Sequence, residues 1–251
     1  MATTALPVAR GSYWQLSRAP RYSVTFVLPL LALYETLAAA ANRGPGGLRN
    51  GADVLLKAGF TYVLGPRGPL VFGVLLVGAM IALIIRDKRR HPGKLSPGVF
   101  LGMLVESVAL ALAFGIVVGI VAAQLVSGLH LALGPVDTVS RGTAFIISLG
   151  AGLYEELLFR VLLVGALLWA ARRILGLGPV ASGTLAVIGG ALIFSAFHYI
   201  GPYGDKLEVG SFVFRAVAGL AFSGLYVTRG FGITAWTHAL YDVILLLSRG
   251  T

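Results

Sequence analysis

The chain has 251 residues, of which 57% are hydrophobic and only 12% charged, and its mean hydropathy is +0.87. A soluble domain of this length carries about 25% charged residues, so there is too little polar surface here to coat a water-soluble globule. The net charge of +10 sits in short loops between apolar stretches rather than on a continuous basic face, which excludes a nucleic-acid binder, and the absence of cysteine excludes disulfides and thiolate chemistry.

In chain order, Met1–Arg21 shows no short apolar core with a small-residue cleavage site, so the first span is expected to direct insertion itself. Stretches close to the ~20 residues that cross a bilayer core follow at Tyr22–Ala41, Pro69–Ile85, Pro97–Val126, Gly142–Ala171, Val180–Tyr199, Gly210–Thr228 and Phe231–Leu247. Two of them, Pro97–Val126 and Gly142–Ala171, are longer than one crossing needs, so they must tilt, break or project. Between the first two spans lies Gly51–Leu64, apolar but interrupted by Asp53 and Lys57. It is short for a crossing, which favours a helix at the interface over an eighth span. The pattern predicts an all-α, polytopic transmembrane helical bundle of seven or eight spans. Residues 1–251 read as a single integral-membrane domain without internal repeat or soluble second domain.

The loops set an orientation. Arg86–Lys94 carries Arg86, Lys88, Arg89, Arg90 and Lys94 against one acid, Asp87, which marks it as cytoplasmic. Alternation then puts Ser127–Arg141 outside, Arg172–Arg173 inside, Gly201–Val209 outside and Arg229 inside; Asp137, Asp205 and Glu208 on the outer loops agree. A multi-pass protein of a prokaryotic cell inner membrane is the expectation, with the lipid bilayer as a partner and no nucleic acid. Small residues at Gly115 and Gly119, Gly189 and Gly190, and Gly219, Ser223 and Gly224 predict close helix approach.

A charge at mid-bilayer costs at least ~2.5–3.5 kcal/mol and marks function by default. Five of the ten acids fall inside the spans, namely Glu35, Glu106, Glu155, Glu156 and Asp242, and so do His198 and His238. Glu156 and Arg160, four apart with the acid first, share a helix face and can pair. That leaves Glu155 rotated about 100° away on an α-helix, an unpaired carboxylate suited to general acid–base work; an interhelix polar clamp of all three is the structural reading. Phe194 lies one turn before His198 and can buttress its ring, while His238 and Asp242 share a face, so the carboxylate can orient the imidazole or both can meet one ligand. Neither Glu35 nor Glu106 has a partner in its own helix, and Arg215 is placed to snorkel to the interface.

Together and in this order, Glu155-Glu156-x-x-x-Arg160, Phe194-x-x-x-His198 and His238-x-x-x-Asp242 resemble the CaaX protease and bacteriocin-processing (CPBP, or Abi) family of intramembrane proteases. The motifs cover roughly Gly142–Leu247. The resemblance implies an intramembrane endopeptidase acting on a membrane-associated protein or peptide. Glu155 and His198 would hold and activate the attacking water, and His238 and Asp242 would stabilise the oxyanion, supported by Glu156, Arg160 and Phe194. An ionised Asp cannot donate to an oxyanion as an Asn can, so Asp242 is either protonated or orients His238. No His-Glu-x-x-His pair is present, and metal-free hydrolysis is the expectation, with zinc on Glu155, His198, His238 and Asp242 as the alternative. A proton-coupled transporter using the same groups as a relay, and a non-catalytic scaffold or immunity protein in which they only pack, are the competing functions.

Overall fold

The computed structural model describes residues 11–41, 49–128, 140–201 and 204–248, all helix and connecting turns. Most of the expected outer loop Ser127–Arg141, and the first ten residues of the expected insertion segment, lie outside the described residues. The order of elements is α1 (Tyr13–Arg18), α2 (Pro20–Ala41), α3 (Gly51–Leu64), α4 (Gly68–Arg90), α5 (Pro97–Gly128) and α6 (Arg141–Gly150). A π-helical segment, Ala151–Val164, continues α6 without a break and runs into α7 (Gly165–Arg173); α8 (Pro179–Phe197), α9 (Val209–Arg229) and α10 (Phe231–Ser248) complete the bundle.

Among the described residues, six helical units are long and apolar enough to cross a membrane: Pro20–Ala41, Gly51–Arg90, Pro97–Leu125, Pro179–Phe197, Val209–Arg229 and Phe231–Ser248. They correspond to six of the seven expected spans. The seventh, Gly142–Ala171, is continuously helical but changes from α to π and back, and its middle carries Glu155, Glu156 and Arg160. Nor does Gly51–Leu64 stand apart from its neighbours. The chain reverses at Gly65, whose φ of +63° suits glycine, and α3 lies back along α4, with the Phe60 and Phe72 rings 5.4 Å apart. Gly68 makes this reversal: a β-carbon there would collide with the Phe60 and Thr61 backbone.

At the centre stands α10, which packs against α2, α5, α6, α9 and the π-helical segment, with Ile233, Ala235 and Ala239 buried along it. The outer faces stay apolar, as for Leu70 and Val74 on α4 or Leu101 and Ile116 on α5. Such contiguous apolar exposure suits lipid tails and not water. Of the small residues, Gly219 meets Ala191 and the Phe194 ring at 3.1 Å, Gly190 faces Val164 and Gly115 faces Tyr241. Gly119 and Gly224 have nothing within 4 Å and take no part in close approach.

Candidate active site

The two adjacent glutamates sit in the middle of the π-helical segment. Its i→i+5 bonding widens the turn, so neighbouring residues are separated by less than the 100° of an α-helix. Glu155 and Glu156 are both buried, at 9% and 0% exposure, within the run 151–156 in which every residue is buried, so the helix is covered on all sides there. Gly152, one turn earlier, lets this segment lie directly on α10: a β-carbon there would meet the Ala235 carbonyl and come within 2.6 Å of the Ala239 backbone nitrogen.

That close approach brings the Glu156 carboxylate to 2.7 Å from His238 Nδ1. Glu156 also lies 3.2 Å from Arg160 Nη1, the expected pair, so one carboxylate serves both cations. The Arg160 nitrogens find no hydrogen-bond acceptor; the guanidinium instead lies 4.5 Å above the Phe194 ring and 5.5 Å from that of Phe222. Desolvated cation–π contacts of this kind contribute about 2 kcal/mol. The His238 ring stacks on Phe222 at 4.2 Å, and its Nε2 stands 3.6 Å from Asp242 Oδ2. The i,i+4 geometry of His238 and Asp242 is as expected, but the shorter contact to the imidazole comes from Glu156 on another element.

His198 caps the C-terminus of α8, where its Nδ1 lies 2.9 Å from the Phe194 carbonyl oxygen. A carbonyl only accepts, so Nδ1–H donates and Nε2 is left with its lone pair. The Phe194 ring meets His198 edge to face at 4.9 Å, the buttress that the spacing predicts. Glu155 lies within Coulombic range of both His198 and His238. One of its oxygens accepts a 2.9 Å hydrogen bond from the Asn50 side-chain amide. Nothing in the sequence pointed to Asn50 as a site residue, although an Asn just before an apolar helix is a readable N-cap signal.

The acids away from this cluster are also paired, Glu35 and Glu106 with side chains on other elements and Asp53 with neighbours four residues to either side. Glu35 receives hydrogen bonds from Tyr154, Lys57 and Arg49, and Asp53 pairs with Arg49 and Lys57 at 2.7 Å each. Glu106 takes both Arg229 and Tyr13, and burial together with the Glu106 carboxylate pushes the Tyr13 hydroxyl up to about 12, keeping it a donor. Arg215 pairs with Asp205 on the expected outer loop and lies 5.1 Å from the Tyr199 ring.

Zinc needs three or more protein ligands. Among the described residues no three His, Asp or Glu side chains are gathered to hold a metal ion. Nδ1 of His238 faces Glu156 and Nδ1 of His198 faces the Phe194 carbonyl.

Residues 138–244 match the protein-family model Rce1-like, described as type II CAAX prenyl endopeptidase Rce1-like, a likeness consistent with the CPBP resemblance. No curated protein and no solved structure matches the chain. With six apolar helical units among the described residues, the molecule is a multi-pass integral membrane protein.

Proposed function

We propose that this chain is an intramembrane endopeptidase that hydrolyses a peptide bond of a membrane-associated protein or peptide with water activated by Glu155 and His198. The observation that carries it is the gathering of Glu155, His198 and His238 around one buried locus from the π-helical segment, α8 and α10. The Glu155 carboxylate takes the proton of the attacking water, His198 Nε2 holds that water in place, and the proton then passes to the leaving amine. His238, held at Nδ1 by Glu156, turns Nε2 toward the oxyanion; with Nδ1–H given to Glu156, Nε2 donates as the imidazolium. Asp242 steadies that side of the ring and need not donate itself. The reaction uses no metal, and the substrate is a membrane-associated chain, with prenylated C-terminal peptides a class consistent with the matched domain. The location is a prokaryotic inner membrane.

The test compares protein termini in membrane and secreted fractions of cells expressing wild type or Glu155→Ala. A set of new termini that needs Glu155, and whose formation by purified protein survives chelators, is expected. Identical termini with a well-inserted variant would sink the proposal, and activity lost on chelation and restored by zinc would overturn its metal-free part. A second outcome concerns Asp242: Asp242→Asn is expected to retain kcat/KM within about tenfold, whereas Asp242→Ala falls by about 10²-fold through a loosened oxyanion donor. Equal losses in the two variants would assign the carboxylate charge itself to the mechanism.

A further inference from the structure

Asn50 lies 105 residues before Glu155 in sequence and outside the matched segment 138–244, yet its side chain is buried against the glutamate. Its amide has only one usable orientation. Oδ1 accepts from the Ala52 backbone N–H at 2.9 Å and so caps α3, which leaves Nδ2 to donate to Glu155 Oε1 at 2.9 Å. The Asn50 backbone N–H donates to the Tyr34 hydroxyl at 3.0 Å, and that hydroxyl donates to Asp53 at 2.8 Å. Asp53 is in turn held by Arg49 and Lys57, and these two also hold Glu35, which accepts from Tyr154 beside Glu155. Two acids and two bases thus close a neutral set that pins the first turn of α3 to α2 and to the π-helical segment. Gly150 gives the space: a β-carbon there would stand 2.5 Å from the Tyr34 ring and 2.7 Å from Asn50 Cβ.

We infer that Asn50 is a positioning residue for Glu155, which makes the start of α3 part of the apparatus for the reaction. The inference rests on the reading of Glu155 as the base. A neutral amide aims a carboxylate by hydrogen bonding without adding a further charge of its own. Glu156, by contrast, is matched by the permanent cation Arg160. Ser and Asp cap helices about as well as Asn does. Asn50→Ser therefore keeps the α3 cap but loses the reach to Glu155, and Asn50→Asp keeps the cap but sets a carboxylate against a carboxylate.

The experiment measures kcat and KM on a peptide spanning a junction found by terminus mapping, with wild type, Asn50→Ser, Asn50→Asp and Glu155→Gln side by side. It also records the infrared carboxylate band of Glu155 in purified protein, identified by difference against Glu155→Gln. Both Asn50 variants are expected to lose about 10- to 100-fold in kcat with KM within about twofold, as for a misaimed catalytic group, and Asn50→Ser is expected to shift the Glu155 band. Wild-type kcat in a variant that inserts normally, or an unmoved band, overturns the inference, since a residue that only caps α3 would give that result. If one variant fails to insert, the other carries the kinetic arm. If Glu155→Gln cleaves as fast as wild type, the protease mechanism fails, and the band alone decides whether Asn50 aims the carboxylate.

Discussion

Glu156→Ala is expected to be the most destabilising single change in the bundle, at about 3–5 kcal/mol. The side chain is fully buried and stands between two partners, Arg160 at 3.2 Å and His238 at 2.7 Å. Removing it leaves the buried Arg160 guanidinium between two ring faces without its one contacting carboxylate, and leaving a charge without its partner is what makes such changes severe. Denaturant or thermal unfolding in detergent, read on the purified protein, measures the loss. Adding Arg160→Met to Glu156→Ala is expected to recover a good part of it, because the unpaired charge goes too. A single variant as stable as wild type, or a double variant worse than the sum of its parts, would contradict this account. The imidazole of His238 would also lose its anchor, so the Glu156→Ala protein that does fold is expected to be slow in cleavage.

Gly152→Ala should act through geometry alone. The new methyl would collide with the Ala235 carbonyl and the Ala239 nitrogen and β-carbon, and backbone atoms cannot swing aside as a side chain does. Relief requires the π-helical segment and α10 to part, which stretches the 2.7 Å contact between Glu156 and His238. Overpacking of this kind costs about 1–3 kcal/mol, and a displacement near 1 Å in a reacting group lowers rate by about 10²-fold. Gly165→Ala is the control: it lies in the same helical run with nothing within 4 Å and is expected to be neutral or slightly stabilising. Unfolding midpoints and kcat/KM for the pair of variants check both statements. Equal behaviour of the two would mean that close packing on α10 does not set the site.

Much of the architecture was legible because bilayer insertion is written in local composition. Five apolar runs appear as helical units within a residue or two of the expected bounds, while the expected Pro69–Ile85 lies inside the longer unit Gly51–Arg90; the Phe194–His198 and Glu156–Arg160 contacts follow from i,i+4 spacing. Contacts between distant segments were not legible in the same way. Glu35 finds Lys57, Arg49 and Tyr154, and Glu106 finds Arg229 and Tyr13. Each acid looked solitary because its partners lie on other helices. Nothing in the sequence singled out Asn50, whose partner Glu155 lies 105 residues away.

Composition and hydropathy by themselves determined that this chain is a helical membrane protein, since a bilayer rewards apolar length wherever it occurs. The ordered polar motifs pointed by themselves to the protease family, because few other uses place two glutamates, two histidines and an arginine in apolar helices. Tertiary structure alone decided which partner each charge takes. The missing side chain at Gly152 brings the π-helical segment and its glutamates onto α10, and the reversal at Gly65 accompanies a short helix whose cap reaches Glu155. Each of these depends on distances between segments far apart in the chain, and periodicity within one segment carries no record of them.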